Sequence, residues 1–161
     1  MASKELKIIR TFSAPVKTIW QAWTEPEHFK KWWGPKIFTC PVSKIDLKVG
    51  GKYLHCMRGP DGKEYWSTGT YKEIIPLKRI VCTDSFADEK GNIVPASDYG
   101  MTGFPLELEV TIEFEDLGDK TKMTLVHRGI ENIDTKMREM MDQGWNESFD
   151  KIDQQLKTKK R

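Results

Sequence analysis

The sequence TKMREMMDQGWNESFDKIDQQL, residues 135–156, repeats mostly apolar side chains at intervals of three and four residues. This spacing places them on one stripe of an α-helix, and Asp134 can cap the first turn by accepting a backbone N–H bond. We therefore expect a long helix over residues 134–157 whose apolar stripe must be covered by a large second element. The stripe consists of Met137, Met141, Trp145, Ser148, Ile152 and Leu156.

Gly144 lies in the middle of this helix, where glycine costs about 1 kcal/mol relative to alanine. A glycine at such a position indicates either a close approach of another part of the chain or space for something beside the helix. The sequence leaves both alternatives open.

The residues before the helix change to the period of two that is typical of strands. Residues 106–114 alternate apolar side chains with glutamate and threonine, so one face of this strand contacts water. Gly-Pro-Asp-Gly at residues 59–62 predicts a hairpin. A first strand over residues 4–13 and two short aromatic helices come earlier. We predict an α+β fold in which a curved antiparallel sheet of about six to seven strands wraps around the long C-terminal helix, with the two short helices after the first strand.

Length and composition are those of a globular protein: 161 residues, 38% apolar and 31% charged. We expect one domain over residues 1–161. The last five residues, KTKKR, carry four positive charges although the net charge is only +2, so the rest of the chain is slightly acidic. This balance argues against a nucleic-acid surface, and residues 157–161 are expected to form a flexible basic tail.

The sequence also excludes several classes of protein. No apolar run reaches the roughly 18 residues of a membrane span, and residues 1–10 lack the apolar core of a signal peptide. Cys40, Cys56 and Cys82 are odd in number and include no CxxC pair, which argues against a disulfide framework or a zinc site. We expect a cytoplasmic protein, monomeric or homodimeric, without a metal or cofactor.

Residues 87–105, ADEKGNIVPASDYGMTGFP, predict a long loop between two strands. Loops of this length without regular structure are uncommon and often functional. This loop is either a lid that contacts a ligand or a flap packed on the edge of the sheet. Its apolar residues are Ile93, Val94, Tyr99, Met101 and Phe104.

Two predicted strands each place a histidine on the same face as apolar side chains. If both faces are concave, the two imidazoles point into a cavity near the phenol of Tyr71. Such a group could form an acid–base site, bind the polar head of a ligand, or be satisfied by neighbouring strands and trapped water. His55, Tyr71 and His127 are therefore the weak candidates for catalysis. The shared faces carry Tyr53, His55 and Met57 on one strand, and Met123, Leu125 and His127 on the other.

Other reactive side chains give weaker signals. Glu73 and Asp84 interrupt half-apolar strands, where a buried carboxylate would have a raised pKa and act as an acid or base. We favour the alternative that both lie at strand ends or on the wet face. Arg58 could pair with a ligand anion or form an exposed salt bridge, and the salt bridge is favoured. No histidine or lysine lies at a sequence spacing from the three cysteines that would indicate an activated thiolate.

The content of tryptophan and methionine, six and seven residues, suits an apolar pocket with an adaptable wall. The same residues also suit a filled core under a large sheet, and composition does not separate the two. If the interior is hollow, we expect its ligand-binding residues to be Tyr53, His55, Met57, Tyr71, Met101, Phe104, Met123, Leu125, His127, Met141 and Trp145.

Five stretches carry a resemblance to a known family, and together they cover nearly the whole chain. They are RTFSAPVKTIWQAWTEPEHFKKWWGP (10–35), VGGKY (49–53), GPDGKEYWSTGTYKEIIPLKRIV (59–81), GNIVPASDYGM (91–101) and QGWNESFDKI (143–152). In this order they resemble the START-like superfamily, also called SRPBCC or Bet v-like, and within it the homologues of the activator of the heat-shock protein 90 ATPase. The resemblance implies a helix-grip fold with a cavity between sheet and long helix that often takes apolar ligands.

Three functions follow as hypotheses. The leading one is non-enzymatic binding of a small hydrophobic or amphipathic molecule in that cavity. The resemblance implies a second, a stress-response or co-chaperone-type protein that interacts with a chaperone. The third is a cyclase- or hydrolase-like enzyme that uses the same cavity.

Overall fold

The strands and helices follow the order predicted from the sequence. The structure, a computed structural model, describes residues 5–159, apart from the side chains of residues 158 and 159. The strands are β1 (Glu5–Phe12), β2 (Thr39–Ile45), β3 (Lys52–Arg58), β4 (Glu64–Ile75), β5 (Arg79–Ala87), β6 (Leu108–Asp116) and β7 (Thr121–Arg128). The helices are α1 (Val16–Thr24), α2 (Pro26–Phe29) and α3 (Thr135–Lys159), and a short 3-10 turn covers Ala96–Tyr99.

All seven strands form one antiparallel sheet in the order β1-β7-β6-β5-β4-β3-β2. Strands β2 to β7 follow one another as neighbours, and β1 then adds to the free side of β7, where Phe12 lies opposite Thr121. The α+β prediction, with a curved antiparallel sheet of six to seven strands around a long C-terminal helix, is confirmed.

Alternation along the strands sets the inner face of the sheet. On β7, Met123 and Leu125 are fully buried and His127 is 4% exposed. The inner side chains of β6, among them Ile112, are buried in the same core. Glu113, one residue further along β6, is exposed, as the period of two requires.

Helix α3 covers that inner face. Asp134 Oδ1 accepts a hydrogen bond of 2.7 Å from the backbone N–H of Met137, so the predicted cap is present. Phe149, which the predicted stripe omits, is fully buried, because it lies on the same face as Trp145 and Ile152. The helix continues through Lys159, two residues beyond the predicted end at residue 157. The expected basic tail therefore begins in helix, and residues 160 and 161 lie outside the described part of the chain.

Helices α1 and α2 close one end of the hollow between sheet and α3. Pro15 occupies the position before α1, and no side chain caps that helix. Trp32, which follows α2, is 1% exposed, and its indole N–H donates a 2.8 Å hydrogen bond to the Ala22 carbonyl. This bond fixes α2 against α1, which is needed because a four-residue helix is stable only when packed.

The long loop between β5 and β6 is attached to the end of the sheet where β4 begins and β5 ends. Tyr99 donates its hydroxyl proton to the Ala87 carbonyl and accepts the Trp66 N–H at 3.2 Å. Its ring lies 5.5 Å from the rings of both Tyr65 and Phe86. These contacts are those of a flap packed on the sheet.

Candidate ligand-binding cavity

A small cavity remains between the inner face of the sheet and the N-terminal half of helix α3. Its volume is about 30 Å³, which is room for one or two water molecules. Most of its wall is aromatic or aliphatic, and three of the lining side chains, those of Trp33, Asp84 and Trp145, are only partly buried. The wall consists of Trp23, Phe29, Trp33, Tyr53, His55, Tyr71, Ile80, Cys82, Asp84, Val110, Ile112 and Trp145.

His55 lies in the wall as a neutral ring held between aromatic side chains. Its ring centroid is 3.9 Å from that of Phe29 and 4.7 Å from that of Tyr53, both stacked. The Nδ1 atom is 3.0 Å from Ser43 Oγ. Burial lowers the pKa of His55 to about 3, because the charged imidazolium would lose its hydration. His55 is therefore uncharged at neutral pH.

Asp84, Tyr53 and His127 form a polar group at one side of the cavity. The Tyr53 hydroxyl donates to the Thr83 carbonyl at 2.9 Å and lies 3.2 Å from Asp84 Oδ1. The other carboxylate oxygen, Oδ2, is 3.4 Å from His127 Nε2. Asp84 is the one charged side chain among the described residues of the wall, and its side chain is 21% exposed.

His127 is the least satisfied polar side chain of this group. Its side chain is 6% exposed, and neither ring nitrogen has a hydrogen-bond partner among the residues that the structure describes. The distance of 3.4 Å between His127 Nε2 and Asp84 Oδ2 is longer than that of an ordinary N–H···O hydrogen bond. Since buried polar atoms in folded proteins are nearly always paired, this imidazole can accept or donate a further hydrogen bond.

The two tyrosines of the wall are weak acids. Burial raises the pKa of Tyr71 and that of Tyr53, and the Asp84 carboxylate adds to the effect on Tyr53. A phenol with a raised pKa stays protonated at neutral pH. Both hydroxyl groups therefore serve as neutral hydrogen-bonding groups in this cavity.

The remaining predicted ligand-binding residues lie around the cavity rather than in its wall. Met123 and Leu125 belong to the filled core beneath it, where the Trp23 indole N–H is 3.1 Å from Met123 Sδ. Phe104 and Met141 pack on a second cluster with Leu108, Ile130 and Ile133. Met57 packs near Gly34, and Met101 is a half-buried loop residue. Of the predicted residues, Tyr53, His55, Tyr71 and Trp145 line the cavity. His127 lies outside the wall and contacts two wall residues, Asp84 and Trp145.

Several wall residues were not among the predicted site residues. Asp84 was expected at a strand end or on the wet face, but it lies on the inner face with Ile80 and Cys82 of the same strand. The alternation of these three residues was a signal that could have placed it there. Trp23, Phe29 and Trp33 come from the short helices, whose packing direction the sequence does not show. Glu73 and Arg58 form exposed salt bridges, with Arg79 and Glu64 respectively.

Other potential functional groups are inert or lacking in the described residues. Cys40, Cys56 and Cys82 are buried free thiols, and burial raises the pKa of Cys40 and that of Cys56 to about 11. Between residues 5 and 159, no three His, Cys, Asp or Glu side chains gather closely enough to hold a metal ion. In the same range, no helix combines the length and the apolar character that crossing a membrane requires.

The seven-stranded antiparallel sheet and the long C-terminal helix define a START-like protein with the helix-grip fold. The family model described as "Activator of Hsp90 ATPase homolog 1-like protein" matches residues 13–157. Because that match spans most of the chain, the protein belongs to this family, as the sequence resemblance indicated. No curated protein matches the chain.

Solved structures with the same fold cover almost the whole chain. A protein from Chromobacterium violaceum is 27% identical, with a TM-score of 0.76, over 93% of this chain and 94% of its own. A protein from Arthrobacter aurescens is 29% identical, with a TM-score of 0.77, over 93% of this chain and 84% of its own. One from Mycobacterium smegmatis is 27% identical, with a TM-score of 0.74, over 95% and 90% of the two chains.

Proposed function

We propose that this protein binds one small amphipathic molecule in the cavity between the sheet and helix α3. The apolar part of the ligand lies among the aromatic rings, and its polar end meets Asp84 and His127. One observation carries the proposal: both ring nitrogens of His127 are buried without a hydrogen-bond partner among the described residues, and the ring contacts Trp145 of the cavity wall.

The buried ring nitrogens of His127 have no hydrogen-bond partner among the described residues. A buried nitrogen without a hydrogen bond costs about 1–3 kcal/mol, and a ligand hydroxyl or amine placed there would recover part of that cost. Apolar surface buried at the same time contributes about 25 cal/mol per Å². Both contributions favour a ligand with one polar end over a purely apolar one.

A ligand larger than two waters requires the wall to move. Trp33 and Trp145 are half-buried, and their rings meet edge to face at 5.2 Å. Turning either indole outward enlarges the cavity toward solvent without breaking a backbone hydrogen bond of the sheet. We propose that these two side chains form the entrance.

The alternative functions have less support. Burial lowers the pKa of His55 to about 3 and raises that of Tyr71, so neither group exchanges protons readily near neutral pH, as an acid–base enzyme requires. The co-chaperone hypothesis rests on the description of the family. A cytoplasmic location rests on the unpaired cysteines.

The test is a titration with phenethyl alcohol and octanol, followed by protein NMR and thermal unfolding. At ten times its Kd, a ligand specific for the folded state should raise the Tm by about 3–6 °C. The amide signals of β5, β7 and the N-terminal half of α3 should shift. Shifts spread evenly over the surface, or none at all, would argue against the proposal.

Val110→Ile and Val126→Ile form a matched pair for this test. Val110 lines the cavity, whereas Val126 points to the other face of the sheet. One added methylene at position 110 takes much of the available space, so we expect Val110→Ile to weaken binding and Val126→Ile to leave it unchanged. Equal affinity in the two variants would place the ligand elsewhere.

A further inference from the structure

We propose that the polar end of the ligand is a protonated amine, bound between Asp84 Oδ2 and His127 Nε2 beside the indoles of Trp33 and Trp145. This inference rests on the proposed function and adds the chemical class of the ligand. It is carried by the charge of the wall, by the unpaired atoms of the polar group and by the aromatic rings around them.

The charge of the wall favours a cation. Asp84 is its one acidic side chain, and no lysine or arginine is among the described residues that line the cavity. His55, the basic residue of the wall, is held neutral by burial, which lowers its pKa to about 3. A ligand with a carboxylate or phosphate would meet one negative charge and no positive one. A cation would be attracted.

Two polar atoms lie close together at the proposed position of the ammonium group. Asp84 Oδ2 and His127 Nε2 are 3.4 Å apart, and the imidazole nitrogen has no hydrogen-bond partner among residues 5–159. A carboxylate accepts hydrogen bonds only, and the imidazole tautomer that carries its proton on Nδ1 accepts one at Nε2. The proposal requires this tautomer of His127. An ammonium group carries several N–H donors and can reach both acceptors at once. Charge-assisted bonds of this kind are stronger than neutral ones.

Aromatic rings surround the polar group formed by Asp84 and His127. Six aromatic side chains, apart from the histidine, line the cavity. Trp145 links them to the polar group, with its ring 6.1 Å from that of His127 and 5.2 Å from that of Trp33. Aromatic rings attract cations through their quadrupole, and tryptophan does so most strongly. The same rings accommodate the apolar body to which the amine is attached.

Three probes with one phenylalkyl body separate this inference from the proposed function: phenethylamine, phenethyl alcohol and phenylpropionate. They carry a positive, a neutral and a negative head. Dissociation constants are measured with the unmodified protein by tryptophan fluorescence and NMR. We expect the amine to bind at least about tenfold more tightly than the alcohol, and the carboxylate to bind most weakly. The net charge of the protein is +2, so non-specific attraction would favour the carboxylate instead.

Asp84→Asn and Glu115→Gln form the matched pair of variants. Asp84→Asn keeps the size of the side chain and removes its charge, so the amine should lose affinity and its preference over the alcohol should disappear. Glu115 is an exposed acid on neighbouring strand β6, and Glu115→Gln should retain the full preference.

Each outcome has one meaning. If the three probes bind equally well, or if the amine keeps its advantage in Asp84→Asn, the amine inference is overturned while the cavity still binds ligands. If the carboxylate binds best, the inference is also overturned. If none of the probes binds at millimolar concentration, the proposed function fails together with it. The order of the three dissociation constants in the unmodified protein tests the amine inference even if Asp84→Asn does not fold.

Discussion

Arg10 of strand β1 and Asp153 of helix α3 form an ion pair in which guanidinium Nη2 lies 2.6 Å from the carboxylate Oδ2. The same nitrogen is 2.9 Å from Asp150 Oδ1, and Nη1 donates to the Asn146 carbonyl at 3.2 Å. One side chain of an edge strand therefore binds two turns of the helix. This contact holds α3 across the sheet at the side away from β2.

Arg10→Met should lower the free energy of unfolding by about 1 kcal/mol. The methionine keeps much of the apolar stem but loses the ion pairs, which are partly exposed and therefore of modest strength. Urea denaturation at low salt measures the change, and about 1 M salt should reduce it. Lys7→Met, at an exposed position of the same strand, is the control. An equal loss in both variants would mean that the contact with α3 contributes nothing.

His55 should make the protein less stable below neutral pH. Its pKa is about 3 in the folded chain and ~6.5 in the unfolded chain, so the unfolded state binds a proton that the folded state does not. The stabilisation is fully present above pH ~6.5 and declines by up to about 1.4 kcal/mol per pH unit as the pH falls toward the folded pKa.

His55→Phe tests this dependence, because phenylalanine keeps the stack on Phe29 and does not titrate. The measurement is the free energy of unfolding by urea from neutral to mildly acidic pH, and the variant should show a shallower decline. His28→Gln is the control variant, because it removes a half-buried histidine of α2 that does not line the cavity. A decline as steep in His55→Phe as in the unmodified protein would refute the assignment.

The Tyr99 hydroxyl should hold the long loop on the sheet. Tyr99→Phe leaves the Trp66 N–H and the Ala87 carbonyl without their bonds, at an expected cost of about 1–2 kcal/mol. Hydrogen exchange of the Trp66 amide and of residues 93–101 should become faster. Tyr65→Phe, which keeps the ring contacts of Tyr65 with Phe38 and Tyr99, should leave these rates unchanged. Similar rates in all three proteins would show that ring packing alone holds the loop.

The period of the sequence predicted the faces of the strands well. Alternation placed Tyr53 and His55 on one inner face and Met123, Leu125 and His127 on another, and all five are buried. This succeeded because the direction of a side chain on a strand depends only on the parity of its position. The same rule, applied to Ile80, Cys82 and Asp84, would have identified the carboxylate of the cavity.

Strand alternation could not predict which of the inner-face residues reach the cavity. Met123 and Tyr53 share the inner side of the sheet, yet only Tyr53 reaches the cavity. Which end of the hollow stays open depends on where the indoles of Trp23 and Trp33 pack. That packing is set by the tertiary contacts of two short helices, for which local sequence carries little information.

The sequence left two alternatives open for Gly144 in the middle of α3: a close approach of another part of the chain, or space beside the helix. The structure favours space beside the helix. A Cβ atom at this position would lie 3.4 Å from Pro35 Cγ, an ordinary van der Waals contact. The helix therefore has room for a methyl group, and the intrinsic preference of helices for alanine over glycine, about 1 kcal/mol, should prevail. We expect Gly144→Ala to raise the free energy of unfolding by about 0.5–1 kcal/mol.

Gly69 on strand β4 supplies the contrast. A Cβ atom there would overlap the Thr83 carbonyl oxygen and lie 2.6 Å from Tyr53 Cε2, so Gly69→Ala must displace backbone and should destabilise the protein by more than about 2 kcal/mol. Urea denaturation of both variants under one condition gives the comparison. If Gly144→Ala were destabilising as well, Pro35 would be unable to move away from the added methyl group, although the contact distance is an ordinary 3.4 Å. The glycine would then mark a close approach between the segment after α2 and the helix that forms one wall of the cavity.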